Sequence, residues 1–175
     1  MIRIGLLGAG MMGATHIGGI RANKATDAKY VGVCDIDEAK RNEFADKYGI
    51  KSYASFDEMI ADEQIDMVDL SLPSHLHELF CIKIVEAKKH VFVEKPIAFE
   101  LDAAQRMIDA AKANGVRLMV GQVIRFWPQY AKIKQMYDEG VFGEFKGVSC
   151  SRLGQMPTWG EWYKDPKKSG ETLMN

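Results

Sequence analysis

The feature that most constrains this chain is the alternation of short apolar runs with longer helical patterns over about its first 120 residues. The apolar runs are residues 2–7, 30–34, 65–72, 91–93 and 116–120. The helical patterns between them are residues 11–22, 38–48, 55–61, 75–87 and 101–113. The runs are almost wholly apolar, which is typical of parallel strands buried on both faces. The alternation predicts an α/β fold in which helices cover both faces of a doubly wound parallel sheet.

A glycine-rich turn follows the first predicted strand. Residues 8–13 read Gly-Ala-Gly-Met-Met-Gly and open the first predicted helix. In that context the GxGxxG pattern indicates a dinucleotide-binding Rossmann domain. Its first glycine permits a tight turn, its second lets a pyrophosphate approach the backbone, and its third lets helix and strand pack closely. The N–H groups at the positive end of the helix would then hold the anion.

An acidic residue ends the second predicted strand. Asp35 lies roughly 20 positions beyond the glycine motif, where a carboxylate accepts the adenosine ribose hydroxyls. A carboxylate there repels a 2′-phosphate, and no arginine follows directly, so the sequence favours NAD over NADP. The alternative is a glycine turn without a ligand and an ordinary solvated Asp, which fits this context less well.

Two polar segments follow the next strands. Residues 71–77 contain Pro73, His75 and His77, and a Glu94-Lys95-Pro96 sequence ends the following strand. Both segments should border the cofactor, because ligands bind at the carboxyl ends of the strands. His77 could face the nicotinamide half or be a polar residue of a first helical turn, the interpretation we prefer for His75. On composition alone Glu-Lys-Pro would be a surface turn.

Lys95 has competing influences on its pKa. Burial and the positive nicotinamide favour a neutral amine, whereas Glu94 favours the charged form. Such a lysine can relay a proton or hydrogen-bond a substrate hydroxyl.

The order and spacing of these motifs resemble the glucose–fructose oxidoreductase/inositol dehydrogenase/rhizopine catabolism (Gfo/Idh/MocA) family. The matching segments are residues 4–13, Asp35, residues 72–77, residues 93–96 and residues 121–128. The resemblance implies an N-terminal NAD-binding Rossmann domain, here residues 1–122, and a C-terminal α/β domain. Residues 123–175 would be the incomplete beginning of that second domain. The resemblance also implies hydride transfer between NAD(P) and a carbohydrate or cyclitol hydroxyl carbon.

The resemblance implies roles for individual residues. Lys95 matches the lysine that contacts substrate and assists proton transfer, Glu94 supports it, and the Lys95–Pro96 bond is expected to be cis. Gln122 and Arg125 match positions near the active-site crossover, with Arg125 on the substrate side. The residues expected to contact the dinucleotide are Gly8, Gly10, Met11, Met12, Gly13, Asp35, Ile36, Leu72, Pro73, His77, Glu94, Lys95 and Gln122.

The last residues depart from the family pattern. The family usually continues into a helix with an Asp and, four positions later, a His. Asn175 falls where the Asp is common and is the third catalytic candidate, and the chain stops before the His. Two hypotheses follow: an NAD-dependent dehydrogenase of a sugar, polyol or cyclitol, or an NAD-binding fragment without turnover. A third hypothesis is that the chain has no enzymatic role and serves in oligomerisation, with a strand predicted at residues 145–151 pairing between chains.

The composition excludes several other classes of protein. Lys and Arg number 23 against 24 Asp and Glu, so charge gives no case for nucleic acid or an anionic membrane as partner. No apolar run approaches the roughly 20 residues of a membrane span. Cys34, Cys81 and Cys150 are isolated, which favours reduced thiols in a cytoplasmic protein. The four histidines form no metal-binding motif, so we expect no metal. The expected partners are a small sugar or cyclitol and further copies of the chain.

Overall fold

Six parallel strands form the sheet that the alternation predicts. In the computed structural model, which describes residues 1–23, 27–151, 153, 162 and 165–169, their order is β3-β2-β1-β4-β5-β6. The strands are β1 (Ile2–Leu7), β2 (Ala28–Cys34), β3 (Lys51–Tyr53), β4 (Met67–Leu70), β5 (His90–Val93) and β6 (Leu118–Val120). The strand order reverses between β1 and β4, which is the doubly wound arrangement with its switch point at that position. The predicted fold class is confirmed.

Helices connect the strands of this sheet. They are α1 (Met11–Ala22), α2 (Glu38–Tyr48), α3 (Phe56–Ala61), α4 (His77–Glu86) and α5 (Leu101–Ala113), followed by α6 (Pro128–Asp138) and the short α7 (Pro166–Ser169). By contacts the chain divides into a first unit, residues 1–121 with the tail from 159, and a second unit, residues 122–158. No helix in the described part of the chain is long and apolar enough to cross a membrane.

The register of the sheet aligns the ends of its strands. Leu7 at the end of β1 pairs with Cys34 at the end of β2 and with Leu70 at the end of β4. Leu70 in turn pairs with Val93 at the end of β5. The residues that follow these four strands therefore meet at one edge of the sheet. That edge carries the glycine loop, Asp35 and the two polar segments.

Two apolar clusters cover the sheet. Leu6 and Val33 belong to one cluster with Ile17 of α1, whereas their neighbours Leu7 and Cys34 belong to the other. Successive side chains of a strand point to opposite faces, so adjacent residues enter different clusters. Both faces are covered, which is why the strands read as continuous apolar runs.

Helix boundaries follow local hydrogen bonds. Asp37 accepts the N–H of Lys40 at the start of α2, and Gly49 ends that helix with a φ of 61°. The Ser-x-x-Glu spacing of residues 55–58 predicts a capping box, and Ser55 accepts the N–H of Glu58 at the start of α3 as such a box requires. The return bond differs, because the Glu58 carboxylate accepts the N–H of Ala54 instead of Ser55.

The buried face of α4 differs from the expected one. The apolar spacing of residues 75–87 predicts a core face that includes Leu79 and Ile84. Ile84 is buried as predicted, whereas Leu79 is 52% exposed, and the helix also buries His77, Cys81 and Val85. Residues 74–76 form a 3₁₀ turn, and α4 begins only at His77. The predicted helix began in that tighter turn, so its assumed face was rotated relative to the real one.

The strand predicted at residues 145–151 is wrong. These residues lie in the second unit and have no ladder partner within the described part of the chain. A strand exists only through pairing, and apolar composition alone does not supply a partner. Phe145 instead packs edge-on against Tyr137 of α6, with the ring centroids 5.4 Å apart.

Candidate functional site

The glycine loop between β1 and α1 is shaped by two glycines that tolerate no side chain. Gly8 has a φ of 106°, and a Cβ there would lie 2.6 Å from the Ser71 carbonyl oxygen. A Cβ at Gly13 would lie 2.6 Å from the Gly8 carbonyl oxygen. Both obstacles are backbone atoms, so neither can move aside cheaply. These two glycines let the loop turn sharply and α1 pack against it, as the motif predicts.

Gly10 is different, because a Cβ there would meet no protein atom within 4 Å. The packing of this protein therefore does not require glycine at this position. Gly10 is the N-cap of α1 and has no side chain that could accept the first N–H groups of the helix. The first turn also contains no acidic residue. Open space beside the positive end of a 12-residue helix fits the pyrophosphate of a dinucleotide. Met11, 53% exposed, borders the same helix end.

Asp35 connects the glycine loop to the turn after β2. One carboxylate oxygen accepts the N–H of Ala9 at 2.8 Å, and the other accepts the N–H of Asp37 at 3.0 Å. A carboxylate has about four acceptor positions, so room remains for two ribose hydroxyls. Ile36 beside it is fully exposed.

Arg41 of α2 is the cation held against this turn. Its Nη1 donates to the carbonyl oxygen of Asp35 at 3.1 Å, and its Nε donates to Ser52 Oγ at 3.0 Å. The side chain is buried, so its guanidinium braces the turn from behind.

His77 does not face a ligand directly. Its ring is fully buried, with Nδ1 2.7 Å from the carbonyl oxygen of Pro96 and Nε2 2.9 Å from that of Leu72. Burial lowers its pKa, although both carbonyl groups act in the opposite direction. The prediction of direct cofactor contact is wrong: the His77 ring lies inside the fold between the Leu72 and Pro96 carbonyl groups, and as a neutral ring it donates to one of them.

The Glu94-Lys95-Pro96 segment begins where β5 ends. The Glu94 N–H donates to the Leu70 carbonyl at 3.1 Å, and the Lys95 N–H donates to Glu94 Oε2 at 3.1 Å. The Lys95–Pro96 peptide bond is cis, as the resemblance implied. A Cβ at Gly121 would lie 3.2 Å from Glu94 Oε1, so this glycine leaves room for the carboxylate.

A buried ionic cluster beneath the site was not predicted from the sequence. His16 of α1 lies between two carboxylates, with Nδ1 2.9 Å from Asp69 Oδ2 and Nε2 3.0 Å from Glu94 Oε1. Asp69 also accepts hydrogen bonds from the hydroxyl groups of Tyr30 and Ser71, with oxygen–oxygen distances of 2.6 Å and 2.8 Å. The Asp69 side chain is 1% exposed and that of His16 is 16% exposed.

The cluster keeps His16 charged. Burial by itself lowers the pKa of His16, but the hydrogen bonds to Asp69 and Glu94 outweigh it and raise the pKa to about 10. Burial and the charge of Asp69 raise the pKa of the Tyr30 hydroxyl, which stays a donor. No group of three or more His, Cys, Asp or Glu side chains in the described ranges is arranged to hold a metal ion.

Two signals in the sequence could have revealed this cluster. Asp69 is a charged residue inside the otherwise apolar β4, and a charge buried there needs a partner. His16 lies three positions after Gly13, so both share the face of α1 that packs on the sheet.

The remaining predicted residues lie elsewhere. Gln122 and Arg125 belong to the second unit, where Gln122 precedes a 3₁₀ turn, Val123–Phe126, that contains Arg125. Asn175 lies outside the described residues. The first unit thus brings together the glycine loop, Asp35 and the Glu94-Lys95 pair at one edge of its sheet.

An open parallel sheet in this order, with a glycine loop and a strand-end Asp at its switch point, defines a dinucleotide-binding Rossmann domain. Residues 2–122 match the Gfo/Idh/MocA family, an oxidoreductase family with an NAD-binding Rossmann fold. The chain therefore belongs to this family, as the resemblance indicated.

Relatives of the chain include an inositol dehydrogenase and a dehydrogenase solved with a bound nucleotide sugar. Inositol 2-dehydrogenase of Salmonella paratyphi B is 31% identical over 99% of this chain and 52% of the relative. The WlbA dehydrogenase from Bordetella pertussis, solved in complex with NADH and UDP-GlcNAcA, is 32% identical with a TM-score of 0.77, over 81% of this chain and 41% of that one. A putative myo-inositol dehydrogenase from Sinorhizobium meliloti is 30% identical with a TM-score of 0.75, over 82% and 43%. The chain spans about half the length of the curated relatives it matches.

Proposed function

We propose that this chain is the cofactor-binding part of an NAD-dependent oxidoreductase that transfers a hydride between the nicotinamide and a hydroxyl carbon of a sugar or cyclitol. The observation that carries the proposal is the meeting of the glycine loop, Asp35 and Glu94-Lys95 at one edge of the sheet. The Salmonella relative, an inositol dehydrogenase, supports the cyclitol class of substrate.

Different residues of the chain bind the cofactor and the substrate in this proposal. Bound NAD supplies the hydride acceptor. The N-terminus of α1 holds the pyrophosphate, with Gly10 leaving the space for it. Lys95 binds the substrate hydroxyl and takes up its proton at Nζ, while Glu94 holds the Lys95 backbone through its N–H.

Calorimetric titration of the 175-residue protein with NAD and with NADP tests the cofactor assignment. We expect NAD to bind more tightly, because the Asp35 carboxylate accepts ribose hydroxyls and repels a 2′-phosphate. Asp35→Asn should reduce this preference, whereas Asp46→Asn, an exposed change on α2, should leave it unchanged. Equal binding of the two nucleotides by the wild-type protein would contradict the role of Asp35. A folded circular dichroism spectrum without binding would contradict cofactor binding by this chain.

A second candidate function is NAD binding without turnover by residues 1–175. It is favoured by the length of the chain, which covers 47%, 44% and 52% of three curated relatives that it matches. Measuring NADH formation from NAD and myo-inositol decides between the two. Turnover by the 175-residue protein that is lost in Lys95→Ala would refute the binding-only alternative. Turnover that persists in Lys95→Ala would refute the role of Lys95.

The expected homo-oligomer in the cytoplasm stays a prediction. Light scattering of the 175-residue protein over a range of concentrations measures its oligomeric state. A monomer at every concentration would contradict an oligomer formed by these residues alone.

A further inference from the structure

His16 links three parts of the cofactor edge that are far apart in the sequence. The residue lies on α1, which begins at the glycine loop, and it contacts Asp69 on β4 and Glu94 after β5. Glu94 uses its other oxygen to accept the Lys95 N–H. A continuous chain of hydrogen bonds thus runs from the dinucleotide-loop helix to the backbone of Lys95.

The hydrogen-bond partners of His16 determine whether its ring is charged. A neutral imidazole has one N–H and one lone pair, whereas an ionised carboxylate offers only acceptors. Both ring nitrogens of His16 lie within 3.0 Å of carboxylate oxygens, so both bonds form only when both nitrogens carry protons. The other groups at the cluster, the hydroxyls of Tyr30 and Ser71, donate to Asp69. The Phe92 ring, 5.3 Å away and edge-on, contributes no charge.

We propose that His16 is a positioning residue: as an imidazolium shared between Asp69 and Glu94, it fixes the Glu94 carboxylate and thereby holds the Lys95 backbone beside the dinucleotide loop. The proposal rests on the proposed function only for the task that Lys95 performs. The positioning itself is a property of the protein without ligand. Its failure can therefore be distinguished from a failure to bind NAD.

The surroundings of Glu94 explain why it needs such a partner. Its side chain is 13% exposed, so little water is available to orient the carboxylate. Gly121 leaves space on one side of Oε1, and that space would permit another orientation. The bond to His16 selects the orientation in which Oε2 reaches the Lys95 N–H.

The first experiment needs no substitution. In the ¹⁵N-labelled 175-residue protein, the His16 ring should give an imidazolium signal, with both nitrogens protonated, from about pH 6 to about pH 9. A ring that is neutral at about pH 7.5 would overturn the proposal, because one of the two carboxylate bonds would then be missing.

The second experiment follows hydrogen exchange of the Lys95 amide. His16→Gln cannot bridge two carboxylates, so exchange should accelerate by about ten- to a hundredfold, as expected for loss of one hydrogen bond to a charged acceptor. His75→Gln, an exposed change outside this cluster, should leave the rate unchanged. Unchanged exchange in a folded His16→Gln protein would overturn the proposal. Should that variant not fold, the ring signals of the wild-type protein decide.

A double-mutant cycle separates positioning from a general structural role. Glu94→Ala removes the acceptor of the Lys95 N–H, so Lys95 exchange should already be fast in that variant. Adding His16→Gln should then accelerate it no further, because His16 acts on Lys95 only through Glu94. Additive acceleration in the double variant would show that His16 merely stabilises the fold, and would overturn the proposal.

Discussion

The charge of His16 should make the stability of the protein fall as the solution becomes alkaline. The perturbation is a change from pH 6.5 to about pH 8.5, applied to the wild-type protein and to His16→Gln. The upper limit is set by the buried thiols, because burial raises the pKa of Cys34 to about 11 and that of Cys81 to about 12 from a value of 9.0 in the unfolded chain. Up to about pH 8.5 these thiols stay mostly protonated in both states and contribute little.

The sign and the magnitude follow from linkage. The pKa of His16 is about 10 in the folded protein and 6.5 in the unfolded chain. Its stabilising contribution is fully present below pH 6.5 and is lost as the pH rises towards 10, because the unfolded chain releases the proton first. Each pH unit within this window lowers the free energy of unfolding by up to about 1.4 kcal/mol, and integration to about pH 8.5 gives a loss of about 2 kcal/mol.

Urea unfolding followed by circular dichroism measures this loss. The wild-type protein should be more stable than His16→Gln at pH 6.5, and the difference should shrink by about 2 kcal/mol at about pH 8.5. Taking the difference removes the contribution of His77, which both proteins share. Glu94→Gln leaves His16 with one carboxylate partner and should show an intermediate dependence. A constant difference across this range would refute the reasoning, because His16 would then bind its proton equally in both states.

Two further substitutions test the glycine loop and a helix cap. Gly13→Ala should destabilise the protein by about 1–3 kcal/mol in urea unfolding, since its Cβ meets a backbone oxygen, while Gly10→Ala should change stability by less than about 1 kcal/mol yet weaken NAD binding in calorimetry. Equal loss of stability in the two variants would contradict this division. Ser55→Ala should cost about 1 kcal/mol by removing the cap of α3, and an unchanged urea midpoint would show that the cap contributes nothing.

Much of the fold could be predicted because its signals are local. The predicted bounds of β1, α1, α2 and α5 match the structure, since each run ends at a glycine or a capping group. The meeting of the glycine loop with Asp35 and Glu94 was also predictable. It requires only that parallel strands of one sheet end at a common edge, where ligands of such sheets bind.

The remaining features depend on contacts between distant residues. The role of His77 was mistaken, because nothing local shows that its ring is enclosed by the carbonyls of Leu72 and Pro96. The ionic cluster was missed for the same reason, since His16 and Glu94 are 78 positions apart. The predicted strand at residues 145–151 failed because composition indicates a preference, whereas a ladder needs a second strand.

The three glycines of the loop do not carry equal weight as evidence for a ligand. Gly8 and Gly13 are explained by the protein's own backbone, which would exclude a side chain at either position whether or not a nucleotide binds. Gly10 has no such explanation, because a Cβ there would lie more than 4 Å from every atom beyond its two chain neighbours. Since the open space beside Gly10 adjoins the positive end of α1, an anionic group is the ligand that fits it. Among the three glycines of the loop, Gly10 is therefore the one that provides evidence for a ligand.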